Sequence, residues 1–178
     1  MVVRIGSLIA GFISALRKIL ARRSRLSYLD NGVYVWDKGS FNRVYVDDPG
    51  SLFNRATHYL IYFHNNMCPA CKRFYPLLLS ILSRFWERLE NIVIIGVVCD
   101  WFASRCRDRV AASLFKAFKV SASPSLILVE IDHTGSPRLL ADLTEDIGSI
   151  ASREGDPAEA LISLIREKIR AGSSDKAR

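Results

Sequence analysis

The chain predicts an α/β domain, a central mixed sheet flanked by helices, carrying an N-terminal amphipathic helix and a short hairpin extension. Three observations support this. The runs "HYLIYFH" at 58–64 and "NIVIIGVVC" at 91–99 have the length and apolar, partly β-branched content of strands buried on both faces. Segments of helical periodicity separate successive strands, and strands joined through helices are expected to run parallel. Near the C-terminus "SPSLILVEI", "DHTG" and "RLLADL" read as strand, turn and strand, which allows an antiparallel hairpin.

The elements follow in order. Residues 2–20 place Ile5, Leu8, Ile9, Phe12, Ile13, Leu16, Ile19 and Leu20 at helical spacing. The neutral run from Ile5 to Leu16 is shorter than the roughly 18–20 residues a spanning helix needs. Positive charge follows the apolar stretch and no cleavage site is evident, so it does not read as a signal peptide. Two readings stay open: a helix packed on its own domain, or a basic helix lying on an anionic membrane surface. "VYVW" at 33–36 and "RVYV" at 43–46 are short strands joined by "DKGSFN". "DDPGSLFNRA" starts a helix with Asp48 as N-cap and Pro49 in its first turn.

After the strand at 58–64 comes a long helix, Cys71 to Leu89. The strand at 91–99 precedes a helix from Ala103 to Phe118. "DPAEALISLIREKI" at 156–169 closes the domain as a capped helix. The chain thus divides into a basic amphipathic helix at 1–26, a domain at 27–171 and a disordered tail at 172–178.

Of the net charge of +7, six units lie in residues 1–29, which contain no acid. The high pI reflects that segment, and no zinc-finger spacing, basic zipper or RNA-binding aromatic signature accompanies it. Nucleic acid is not an expected partner. Arginine outnumbers lysine and glutamine is absent. Heat-adapted families and GC-rich genomes both show such a bias.

The chemistry sits at "MCPACK". Cys68 follows a strand and stands where a helix begins, with Pro69 in the first turn. Unpaired amides and the positive end of the helix dipole there favour a thiolate. Cys71, one turn on, is placed to attack a mixed disulfide formed by Cys68. A zinc site needs two further close ligands, and Cys99 and Cys106 do not form a usual knuckle. No iron–sulfur or haem motif is present. Redox dithiol leads, with a metal clip and a structural bridge as the remaining readings.

From about Tyr59 to Ile169 the chain resembles the thioredoxin-like family, thioredoxin-fold proteins with a CxxC dithiol. The likeness rests on "CPAC" after an apolar strand, on Pro76 five residues past Cys71, on "FKVSASPSLILV", and on the glycine-turn hairpin before the last helix. It implies a thioredoxin fold over 27–171 and a protein-disulfide oxidoreductase. In that role Cys68 is the nucleophile, Cys71 resolves, and no cofactor is needed. It also implies a cis Ser123–Pro124 bond beside the dithiol, with Pro69, Ala70, Ser123 and Pro124 shaping a peptide groove.

The expected partners are protein thiols and disulfides and a recycling reductase or oxidase, with peripheral membrane contact through residues 1–25. The expected location is cytoplasmic or membrane-associated, and a hyperthermophile origin fits the composition. Tyr62 stands where the family has a buried Asp, and Met67 where it has Trp. His64 is the candidate modulator in place of the missing carboxylate. Cys99 and Cys106 are expected to form a second disulfide; two inert thiols, or a relay from Cys99 to Cys71, are the alternatives. Core packing is the default reading of the tryptophans, and Trp101, just beyond Cys99, is the one that could line the site. The rival function is a noncatalytic interaction module docked on a membrane or partner through the N-terminal helix.

Overall fold

The structure, a computed structural model, describes residues 29–89, 91–152 and 155–175, so the expected helix at 1–26 lies outside the described residues. Strands β1 (Gly32–Asp37) and β2 (Ser40–Val44) form a hairpin. β3 (His58–Asn65) leads into helix α1 (Pro69–Phe85), and β4 (Ile92–Cys99) precedes α2 (Arg109–Ala117). β5 (Ser125–Ile131) and β6 (Pro137–Asp142) precede α3 (Thr144–Ser152) and α4 (Pro157–Asp175). All six strands form one mixed sheet in the order β2-β1-β4-β3-β5-β6.

β3 and β4 pair in parallel, with Asn65 opposite Cys99. The period-two alternation of a strand then sends neighbouring residues to opposite faces. Leu60 and Tyr62 pack with Phe74, Leu78 and Leu82 of α1 and with Leu161 and Ile165 of α4. Ile61 and Phe63 pack with Ile95, Val97 and, from α2, Leu114 and Phe115. Each fully buried side chain of this kind contributes roughly 1.5–3 kcal/mol. Two such layers fix the register of β3 and thereby the position of the turn that follows it.

Several expectations are corrected. β5 runs antiparallel to β3 although a helix links β4 to β5. The chain after α2 returns to the sheet end where β4 stopped, so β5 descends from there. The expected helix at Ala103–Phe118 begins only at Arg109. Asp108 caps it, accepting the Ala111 N–H at 2.9 Å. Before it the chain doubles back, with Trp101 and Arg105 exchanging backbone hydrogen bonds and Cys106 bonded to Cys99.

Near Asp48 there is one 3₁₀ turn, Pro49–Phe53, and the Asp48 carbonyl accepts from Ser51 in place of a side-chain cap. The hairpin turns on Lys38 and Gly39, at φ 46° and 93°, which is tighter than the expected connection. Trp36 and Phe41 then meet edge to face at 5.1 Å. α3 has no counterpart in the sequence reading. α4 runs through Asp175, past the tail boundary expected at 172, because Gly172 lies against Leu140 of β6 where a Cβ would overlap it. No helix among the described residues is long and apolar enough to cross a membrane.

Candidate active site

Cys68 is the N-cap of α1, with extended backbone angles (φ −86°, ψ 116°) and Pro69 as the first helical residue. Its sulfur takes the place that a Ser or Asp oxygen usually fills, accepting the Cys71 N–H at 3.3 Å. Cys68 Sγ also stands 3.3 Å from the Ser123 carbonyl. Cys71 is fully buried, and the Asn65 N–H points at its sulfur at 3.5 Å. Both cysteines are free thiols.

The two sulfurs are electrostatically unequal. Burial raises the Cys68 pKa, but hydrogen bonds from the Ser123 hydroxyl, the Cys71 amide and thiol, and the Ala70 amide outweigh it, and the net shift is downward. Burial pushes the Cys71 thiol up to about 11, helped by the neighbouring Cys68 and opposed by the Asn65 amide and the Ser123 hydroxyl. The surroundings thus shift Cys68 toward the thiolate and Cys71 toward the protonated thiol. A helix N-terminus acts on the sulfur that caps it far more than on one inside its first turn.

The expected groove residues come together only in part. The Ser123–Pro124 peptide is cis, and both residues are half-buried beside Cys68. Ala70 is half-buried and Pro69 is exposed on the outer side of the turn. His64 lies within the core, its Nδ1 3.0 Å from the Tyr62 hydroxyl and its ring 5.5 Å from that of Tyr75. Burial, and then the charge of Lys72, lowers its pKa to about 4, so at neutral pH it is an uncharged imidazole. Its Nε2 is buried with no hydrogen-bond partner among the described residues. Tyr62 occupies the expected carboxylate position and stays protonated, because burial, then Cys71, Tyr75 and Cys68, raise its pKa.

Cys99 and Cys106 are disulfide-bonded, with α-carbons 4.7 Å apart. Cys99 shares the α2 face of the sheet with Ile95 and Val97, whereas Cys71 belongs to the helix packed on the Tyr62 face. The relay reading of Cys99 and Cys71 therefore loses its geometric basis. Among the described residues no group of three or more His, Cys, Asp or Glu gathers as a metal site would require.

Asn65 is the residue that sequence reasoning passed over. It is fully buried at the end of β3, and its side chain bridges two loops. Nδ2 donates to Ser123 Oγ at 2.9 Å and Oδ1 accepts the Phe102 N–H at 2.7 Å. Its backbone carbonyl accepts the Cys68 N–H at 3.0 Å. Because Ser123 Oγ receives the amide proton, its own single hydrogen is left to be donated to another acceptor. The only signal in the sequence was a polar residue ending an apolar strand.

Comparison with protein-family models and with curated proteins finds no match. Among solved structures, thioredoxin from Aeropyrum pernix is similar at TM-score 0.50 and 18% identity, covering 80% of this chain and 98% of that one. Tryparedoxin from Trypanosoma brucei (TM-score 0.41, 18% identity, 74% and 90% covered) and Trichomonas vaginalis thioredoxin (0.40, 22%, 59% and 93%) are more distant in shape. A mixed sheet flanked by helices, with a two-thiol turn opening the first long helix, together with the likeness to the Aeropyrum pernix protein, gives this chain the thioredoxin fold.

Proposed function

We propose that the protein is a thiol–disulfide oxidoreductase that exchanges its Cys68–Cys71 dithiol with protein disulfides. The observation that carries this reading is two free thiols one helical turn apart, the Cys71 N–H donating to Cys68 Sγ at 3.3 Å, with pKa shifts in opposite directions. In the reducing direction the Cys68 thiolate attacks one substrate sulfur. A mixed S–S bond forms and the substrate's second sulfur leaves as a thiolate, which takes up a proton. Cys71 then loses its proton and attacks Cys68 Sγ, forming the Cys68–Cys71 disulfide and releasing the first substrate sulfur as a thiol. Two electrons pass to the substrate, and a dithiol donor restores the site. The reverse sequence oxidises a substrate dithiol and needs a disulfide acceptor.

His64, packed with Tyr62 and Tyr75, is too weak a base at a pKa of about 4 to take the proton of a thiol at about 11, so that proton goes to the departing substrate thiolate. Ser123 and Pro124 border the sulfur that bonds the substrate. Peripheral membrane apposition through residues 1–25 remains compatible with this chemistry and is testable by deleting them in a liposome-binding measurement.

Insulin reduction tests the reading. Wild type is expected to turn over with a thiol reductant, Cys68→Ser to be inactive, and Cys71→Ser to accumulate a mixed disulfide that resolves only with added thiol. Full activity in Cys68→Ser overturns the assignment.

A further inference from the structure

The second disulfide has no part in the exchange chemistry, yet it closes the loop that lies against the dithiol turn. The Met67 N–H donates to the Asp100 carbonyl at 3.1 Å, joining the residue before Cys68 to the residue after Cys99. Between Cys99 and Cys106 the loop is held by a two-way backbone pairing of Trp101 with Arg105 (3.1 and 3.2 Å) and by the Asn65 carboxamide on the Phe102 N–H. Ser104 Oγ adds a bond to the Trp101 carbonyl at 3.1 Å. This bracing keeps a tryptophan in water: Trp101 is 41% exposed, and Met67, across the Met67–Asp100 bond, is 53% exposed. Large exposed apolar groups on a rigid support are a docking feature more than a folding one.

The charge of the same rim is weighted to the positive, although the exposed Asp30, beside Asn31, also lies near it and pairs with Arg43 at 3.9 Å. From Tyr59 to Trp86 the chain has no acid. The two acids of the neighbouring segment are half-buried and already engaged. Asp100 accepts from Asn31 and Asn66, each at 3.2 Å, and pairs with Arg107 at 3.7 Å. Asp108 caps α2 and pairs with Arg43 at 3.5 Å. Arg105 and Arg107 are exposed, and Arg105 makes no ion pair among the described residues.

Resting on the oxidoreductase reading, we infer that the disulfide-closed loop 99–106 is the substrate-selecting platform of the dithiol. It seats on Trp101 and Met67 an apolar side chain of an extended protein segment whose flanking residues are acidic and meet Arg105 and Arg107. The preference acts on encounter and binding, so it falls as salt screens the charges.

Two intramolecularly bridged disulfide peptides of equal ring size test this on the full chain, one flanked by Phe-Glu-Glu and the other by Ser-Lys-Lys. Neutral 2-hydroxyethyl disulfide serves as the probe of the dithiol alone. The acidic, aromatic peptide is expected to show kcat/KM roughly tenfold higher at low salt, carried by KM, as one desolvated aromatic anchor typically supplies. Trp101→Ala and the double variant Arg105→Glu/Arg107→Glu should each remove most of that preference while turning over 2-hydroxyethyl disulfide as wild type does. Equal kcat/KM for the two peptides overturns the platform, and so does a preference that survives in both variants. Loss of 2-hydroxyethyl disulfide turnover in Trp101→Ala, matching its loss on the peptide, also overturns it. Wild type that turns over no disulfide overturns the oxidoreductase reading, and the platform with it.

Discussion

The molecule carries one cysteine pair just beyond β3 and another that begins at the end of the adjacent parallel strand β4, and they differ in redox state and in backbone setting. Cys68 follows β3 and Cys99 ends β4, and Asn65 stands opposite Cys99 in the register. One pair is open, with its two thiols shifted in opposite directions; the other is bonded. Burial does not separate them, since Cys71 and Cys99 are both fully buried. The difference lies in backbone surroundings. Cys68 caps a seventeen-residue helix whose amides converge on its sulfur, whereas Cys106 sits in an irregular loop before Asp108, which does the capping for α2. Under the proposed function, reactivity follows the helix terminus, and the bonded pair shapes the loop beside it.

The sharpest way to break this contrast is to exchange the pairs' fates by mutation. Cys68→Ser is expected to lower insulin-reducing kcat/KM by at least ~10³-fold, since it removes the nucleophile outright. Alkylation gives the same contrast by ionisation state. Near neutral pH iodoacetamide should label Cys68 first, while Cys71 should resist until the pH approaches about 11. The Cys99–Cys106 pair should stay unlabelled in native protein. Mass mapping that finds label on Cys71 before Cys68 refutes the assignment of roles.

Asn65→Ala comes next in size. The change leaves the Phe102 N–H and the Ser123 hydroxyl without their buried partner, so a stability loss of about 3 kcal/mol is expected by urea titration. The Cys68 thiolate absorbance near 240 nm should titrate at higher pH than in wild type, because the Ser123 hydroxyl is no longer held. Asn65→Asp, which keeps the acceptor for Phe102 and loses the amide donor, separates the two effects. An unchanged Cys68 titration in both variants removes Asn65 from the positioning role and leaves it a purely structural bridge.

Legibility in the sequence followed the same division. The strands at 58–64 and 91–99 announced themselves because each is apolar on both faces, and "MCPACK" fell at a change of period that a helix start explains. What escaped depended on long-range contact. The segment 103–108 has helix-compatible composition but is pinned by the disulfide and by the Trp101–Arg105 pairing. Gly172 reads as a helix breaker, yet the absence of a side chain is what lets α4 pass over Leu140. α3 is short, contains Gly148 and starts from an Asp142–Thr144 side-chain turn, so its apolar pattern is weak. Asn65 gave no period or motif because its partners come from residues 37 and 58 positions away.

Removing the second pair is expected to be milder. Cys99→Ala/Cys106→Ala should lose about 2 kcal/mol, in keeping with a short closed loop, and keep its turnover of 2-hydroxyethyl disulfide. A variant whose dithiol also stops working would erase the contrast between reactive and structural pairs.

The smallest effect separates the buried imidazole behind the reactive pair from every surface histidine. With its folded pKa at about 4 and an ordinary value of 6.5, His64 is neutral in the native protein while the unfolded chain takes up a proton. Between those two values the unfolded state binds more protons, so stability falls as pH drops from 6.5 toward 4 and is insensitive to His64 above that window. Near pH 6 the loss is about 1 kcal/mol. The Tyr62→Phe/His64→Phe pair removes both hydrogen-bonding partners at once, which avoids leaving either buried and unsatisfied. Its stability should be flatter than wild type across the window in urea titrations. A wild-type curve already flat there would mean that His64 is solvated and takes up its proton in the native protein as readily as in the unfolded chain.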